Sequence, residues 1–376
     1  MNIHAAVSVE SNPLLQIRQL RLEEPRENEV LVKIIATGLC HTDIASHQQV
    51  INVPLPAVLG HEGAGIVERV GSGVKHIQPG DHVVLSLASC GECEKCHIGL
   101  PTYCREHWPL NWHASRSDKS VSLQDPTSGE AIHSHFFGQS SFANYATVNV
   151  RSVVPVDKTI PLEYLGPLAC GMMTGAGAVL NSLKPEAGSS IAIFGMEAVG
   201  LAAIMAAVLA GCTTIIAVDI KANRLTLAKS LGATHSIDSS KDRTRNSLPM
   251  LLQELTDGRG VDYVVEAAGS PAVMESAIAA LAENGQCVLT GVVAPNATLP
   301  LNIMHLLRGR LVRGSIMGDA APISFIPRLA SLFQQGHFPV DKLVRFYALD
   351  QINQAMADSQ SGSTIKAVIK MQHLAV

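Results

Sequence analysis

From Ser190 onward strand-like apolar runs alternate with helical ones, SIAIFG, LAAIMAAVLAG, TIIAVDI, RLTLAKSLGA and VDYVVEAAG, and the strand-like QCVLTGV comes further on. Short β-branched runs read as strands, and the longer alanine- and leucine-rich runs read as helices. Strands this apolar need cover on both faces, which helices returning the chain to the same edge provide. The expectation is a doubly wound parallel sheet in an α/β protein. Upstream the pattern differs, because from Val30 to Val84 the chain is a series of short β-rich pieces (VLVKIIATG, GAGIVERVG, GDHVVLSL) broken by Gly and Pro, as in a β-barrel. Residues 113–139 are polar and turn-rich and read as a surface loop or small insertion. The tail from Gly314, with a helical stretch near Pro327–Gln335 and a final strand KAVIKM, reads as rejoining the first part. A chain of 376 residues exceeds what one hydrophobic core serves, so two domains are expected.

The first alternating unit carries a nucleotide signal. Ile191–Gly211 reads strand, turn, helix, and a Rossmann fingerprint would place glycines at 195, 197 and 200. Gly195 and Gly200 are present, but position 197 is Glu. The middle glycine lets backbone approach a pyrophosphate, so a carboxylate there adds bulk and like charge, and weakened or re-posed binding is expected. Asp219 ends the next strand, 24 residues after Gly195, where an acid suits the ribose hydroxyls of NAD and repels the phosphate of NADP. A strand-end aspartate that only caps the following turn is the plainer alternative.

Eight cysteines stand at 40, 90, 93, 96, 104, 170, 212 and 287. Cys90, Cys93, Cys96 and Cys104 form C-x2-C-x2-C-x7-C, which can fold four thiolates around one tetrahedral zinc ion in a closed structural site. An iron–sulfur cluster is the rival, although the C-x3-C-P ending of ferredoxins is missing. A closed site has no open position for chemistry, so catalytic metal needs other ligands. Cys40 in GLCHTD follows one strand, His61 in GHEGAG precedes another, and Cys170 lies in LGPLACGMMTGAG at the domain boundary. Singly, each is as easily a core or surface residue.

Lysine and arginine number 28 against 32 aspartate and glutamate, a net of −4, with no basic run. Nucleic acid and acidic membrane surfaces are poor partners for such a chain. No stretch has the apolar length of a spanning helix and the first residues lack a signal pattern, so a cytoplasmic location is the expectation.

The segments GLCHTD, GHEGAGIVERVGSGV, PGDHVV and CGECEKC, in that order, resemble the zinc-containing medium-chain alcohol dehydrogenases, over essentially the whole chain and with most likeness to the aryl or benzyl alcohol branch and the related glutathione-dependent formaldehyde dehydrogenases. The resemblance implies a GroES-like β-barrel catalytic domain at 1–170 and 314–376 and a Rossmann domain at 171–313, with two zinc ions per chain and NAD. It implies Cys40, His61 and Cys170 as catalytic zinc ligands, Glu62 as a nearby or transient ligand, and Asp43 as the group that orients His61. It places Arg224 near the adenosine ribose and His41 near the pyrophosphate, where His41 would offset Glu197, with Val199, Gly269, Val292 and Val293 lining the rest of the cofactor site.

For chemistry it implies Thr42 as the acceptor of the alcohol proton. The histidine that often ends this relay is here Ala45, leaving His47 as a substitute. Phe136 and Phe137 match pocket positions, Ser86 replaces a common aromatic, and Trp108 and Trp112 could line the entrance, which favours an aromatic or allylic primary alcohol or its aldehyde. Arg116 and Lys119 alone do not make a pocket for glutathione adducts. A homodimer or homotetramer paired near residues 299–303 is implied as well. Two other readings stand beside this one: Glu197 has silenced redox and left the zinc as a Lewis acid for rearrangement or cyclisation, or the chain is a non-catalytic binding protein. The second predicts loss of the open-site ligands, yet all are present.

Overall fold

The computed structural model describes residues 1–10, 12–241, 247–294 and 296–371. The chain divides into two compact units, Met1–Cys170 with Ala321–Val376, and Gly171–Ala320.

The second unit holds six parallel strands: β1 (Ser190–Phe194), β2 (Thr214–Asp219), β3 (His235–Asp238), β4 (Val261–Glu266), β5 (Leu281–Leu289) and β6 (Leu311–Gly314). Their order is 3-2-1-4-5-6, the doubly wound arrangement, with the reversal falling between β1 and β4. Ala192, Phe194, Ile216, Val218, Val264 and Cys287 from the strands pack with Leu252, Ala277 and Ile278 from the covering helices. Helix α1 (Ala198–Leu209) is apolar all round and unbroken burial runs from Gly200 to Ala207, as a helix laid into a core requires. Gly200 is obligatory there, since a Cβ would overlap the Gly195 carbonyl oxygen. Helix α2 (Ala222–Ser230) follows β2.

This unit runs on to Ala320, past the expected limit of 313. β6 is its sixth strand, and the segment after it is tied back within the unit: Asn181 Nδ2 donates to the Gly318 carbonyl at 3.0 Å and Ser182 Oγ to Asp319 at 2.7 Å. Residues 299–303, near which pairing of edge strands was expected, hold no strand: 299–302 have no regular structure, Ile303 opens a short helix, and β6 is the edge on that side of the sheet.

In the first unit strand Glu29–Gly38 is the hub of a seven-stranded sheet, antiparallel to Glu62–Val70, Tyr145–Asn149 and Lys366–Lys370. Val30, Val32, Ile34, Val67, Val83, Leu85 and Val148 fill its core. A five-stranded sheet built on Asn2–Ser8 and Gln16–Leu22 completes the unit. The segment 113–139 is more than the expected surface loop. Leu123–Gln124 and Ala131–Ile132 extend the second sheet, and Phe136 and Phe137 are buried. Its polar composition misled because the Arg116 side chain is only 8% exposed, held in a two-pronged ion pair with Glu29 at 2.6 and 3.1 Å. No helix among the described residues is long and apolar enough to cross a membrane.

Candidate active site

Strand register assembles the open metal centre. Gly38 pairs with Glu62 on one side and Val368 on the other, so Cys40, just past one strand, meets His61 and Glu62 at the start of the next and Lys366 at the start of the last. Gly38 leaves room for the Glu62 carboxylate, which a Cβ would overlap. Cys170 arrives on the short turn Gly166–Ala169, where Gly166 presses on the Glu62 carbonyl. One ligand atom from each of Cys40, His61, Glu62 and Cys170 lies within 4.8 Å of the others.

His61 donates Nδ1–H to Asp43 at 2.8 Å, and Asp43 also accepts from the amides of Gly60 at 3.1 Å and Cys40 at 2.9 Å. That bond leaves Nε2 as the lone-pair nitrogen, and Nε2 is buried without a hydrogen-bond partner among the described residues. Burial opposes protonation of His61, but the Asp43 charge and hydrogen bond outweigh it and raise its pKa well above the ordinary value. The thiols of Cys40 and Cys170 share a hydrogen bond, which pulls Cys40 well down against its burial and, together with burial, pushes Cys170 well up. Two sulfurs and an imidazole nitrogen facing one point suit a zinc ion with an open fourth position.

Glu62 is fully buried and pushed up to about 7 by that burial, against the pull of Lys366. Lys366 Nζ donates to Glu62 at 2.7 Å and to the Leu39 carbonyl at 3.1 Å. Sequence reading missed Lys366, one of two lysines that bound the short apolar strand KAVIK, 304 residues from its partner. It also missed Gln139, whose amide spans the site by accepting from Gly63 N at 3.0 Å and donating to the His61 carbonyl at 3.0 Å.

Aromatic rings crowd His61. The Phe137 ring centroid lies 4.7 Å from it and that of Phe136 5.8 Å, Trp112 stands 5.0 Å from Phe137, and Trp108 stacks on Trp112 at 5.2 Å. Phe137 takes φ of 50°, a left-handed conformation that costs a bulky residue energy. Ser86 is buried, and its Oγ has no hydrogen-bond partner among the described residues. Thr42 is half-buried in helix His41–His47 and His41 is exposed at its start. His47 is buried and its Nδ1 meets Ser8 Oγ at 2.8 Å.

The sulfurs of Cys90, Cys93, Cys96 and Cys104 also gather within 4.8 Å, and all four are free thiols. Backbone amides of Cys90, Glu92, Cys93 and Arg105 point at them from 3.3 to 3.5 Å. The Arg105 amide, followed by that of Cys96, brings Cys93 down to about 6, while burial takes Cys104 up to about 12. Amides donating to thiolates around a tetrahedral set suit a closed metal site.

In the second unit Gly195 has φ of 88° and opens the turn into α1. Glu197 sits at the helix cap with φ of −88°, which any residue adopts, so the backbone conformation itself demands no glycine there. Its carboxylate is paired with Arg224, Nη2 to Oε1 at 2.7 Å, whereas His41 was the expected counter-charge. The charge that motivated a redox-silent reading is therefore neutralised within the same unit. Asp219 accepts from Met196 N at 2.6 Å and Lys221 N at 2.8 Å, bracing the loop at the end of β2. Gly269, with φ of 71°, lies against Val292, where a Cβ would overlap backbone, and Val292 itself is exposed. Val199 and Gly200 form the first turn of α1.

A barrel-type unit with two cysteine-rich centres and a 3-2-1-4-5-6 parallel sheet define a zinc-binding dehydrogenase class of molecule. Residues 26–158 match the family described as alcohol dehydrogenase GroES-like domain, and residues 198–335 match zinc-binding dehydrogenase. Geraniol dehydrogenase of Castellaniella defragrans is 39% identical over 370 residues, covering 98% of each chain. The crystal structure of a zinc-binding-domain alcohol dehydrogenase from Burkholderia ambifaria is 48% identical with a TM-score of 0.96, covering 99% of this chain and 100% of that one. That of benzyl alcohol dehydrogenase from Acinetobacter calcoaceticus is 43% identical with a TM-score of 0.94 and the same coverage. The chain belongs to the zinc-containing medium-chain alcohol dehydrogenase family and is an oxidoreductase.

Proposed function

We propose that the chain transfers a hydride between NAD(H) and a primary alcohol or aldehyde bearing an aromatic or allylic group, and that it binds two zinc ions. The observation that carries the substrate class is the aromatic wall of Phe136, Phe137, Trp112 and Trp108 packed over His61. Flat rings at a metal-ligand face favour flat, unsaturated substrates. The alcohols named for two relatives, geraniol and benzyl alcohol, share that chemistry.

Cys40, His61 and Cys170 would hold the catalytic zinc and Cys90, Cys93, Cys96 and Cys104 the structural one. Zinc in the open site supplies Lewis acidity to the substrate oxygen, and the nicotinamide supplies the hydride acceptor. Asp43 holds the His61 tautomer, and Lys366 holds Glu62 beside the ligands. Thr42 takes the hydroxyl proton from the turn that begins at Cys40. His47, held by Ser8, supplies the basic nitrogen that Ala45 lacks. Asp219 favours the diol of NAD over the phosphate of NADP, with Gly195, Val199, Gly200, Arg224, Gly269, Val292 and Val293 around it. A second copy of this chain is the proposed partner of β6, near which Ile303, Met304, Leu307 and Leu311 are exposed, and light scattering on a sizing column tests for the dimer.

With zinc-loaded enzyme and NAD, kcat/KM for benzyl alcohol and geraniol is expected to exceed that for ethanol by about a hundredfold. Phe137→Ala narrows that gap. Silence with all three alcohols sinks the redox reading, and equal use of ethanol sinks the substrate class.

A further inference from the structure

We propose that Glu197 determines cofactor preference by occupying Arg224, so that the guanidinium beside Asp219 is withheld from the 2′-phosphate of NADP. The inference rests on the dinucleotide reading of this loop. An arginine near the acid that ends the second strand is the usual means of accommodating a 2′-phosphate, and its planar fork matches a phosphate monoester. Arg224 stands in the first turn of α2 and is only 7% exposed. Its Nη1 lies 3.8 Å from Asp219 Oδ2, too long for a hydrogen bond, while Nη2 is 2.7 Å from Glu197 Oε1.

With glycine at 197, the ordinary fingerprint residue, this cation would lack its one short ion pair among the described residues and would present a fork to a nucleotide phosphate. Glu197 claims that fork and sets a second carboxylate next to Asp219, so attraction is removed and repulsion added together. Arg224 Nε is buried and without a hydrogen-bond partner among the described residues, so the short bond to Glu197 is what meets the charge of this guanidinium. The departure from the glycine pattern therefore has a use. It converts a potential phosphate clamp into a diol site.

The test is calorimetric titration of the zinc-loaded full chain with adenosine 5′-monophosphate and adenosine 2′,5′-bisphosphate, which needs no turnover. In Glu197→Gln, and again in Glu197→Gly, affinity for the bisphosphate relative to the monophosphate is expected to rise by about tenfold or more. Adding Arg224→Gln to either variant is expected to abolish the gain, and the NADPH to NADH ratio of kcat/KM should move in parallel. A ratio that shifts by less than about twofold in both single variants, or a gain that survives loss of Arg224, overturns the inference while leaving the dinucleotide site intact. Failure of the wild-type protein to bind the monophosphate or NADH overturns the dinucleotide reading itself and the inference with it.

Discussion

Asp43 receives three hydrogen bonds, from the amides of Cys40 and Gly60 and from His61 Nδ1, and so fixes two metal ligands at once. An amide in its place has one acceptor oxygen for three donors and turns its own N–H groups toward at least one of them. In Asp43→Asn the open-site zinc affinity is expected to fall by about 10–100-fold, with the quartet still loaded, as read by equilibrium dialysis against a chelator. Unchanged affinity would show that His61 needs no carboxylate. The ligands were legible because Cys40, His61 and the quartet lie in short motifs where spacing itself encodes a chemistry. Lys366 and the Glu197–Arg224 pair were not, because each is a contact between distant residues of common type, and only strand register or the β1–β2 packing brings them together.

At the scale of elements, the carboxyl end of β4 carries a buried acid that the sequence offered no reason to single out. Glu266 accepts from the amides of Ala268 and Gly269, both at 2.9 Å, while Oε2 has no hydrogen-bond partner among the described residues. Burial raises its pKa from 4.5 to about 6 against those amides. A folded-state pKa above the unfolded value means the native protein holds the proton more tightly. The contribution is therefore complete below about pH 4.5 and lost as pH rises through 6, about 2 kcal/mol in all. Glu266→Gln is expected to remove this component, so the melting temperature of the variant should fall less than that of wild type between pH 4.5 and 7. Parallel profiles would count against it. The strand itself was readable, since VDYVVE is β-branched and bounded by Gly260 and Gly269. The segment 113–139 was not. Its polar residues hide a buried ion pair and its two-residue strands are too short to carry a period.

The whole molecule divides its labour by chain order. One uninterrupted stretch, 171–320, makes the parallel sheet, while the metal-bearing unit is completed only when the tail supplies Lys366–Lys370 to the interior of its sheet. Among the described residues both metal-ligand clusters lie in that second-completed unit. Each cluster gathers groups that a cation would hold together: four thiols in one, and in the other a buried imidazole nitrogen without a hydrogen-bond partner among the described residues, beside two cysteines and Glu62. Metal removal therefore costs stability in one unit and not in the other. Hydrogen exchange followed by mass spectrometry, before and after chelation, is expected to show faster exchange in peptides spanning 36–44, 59–66 and 86–105. Strands β1, β2 and β4 should keep their protection, because their core of Ala192, Phe194, Ile216, Val218 and Val264 owes nothing to a metal. Equal loss of protection across both units would mean that the metal centres support a single cooperative fold, and that the sheet of 171–320 is not a stable unit in its own right.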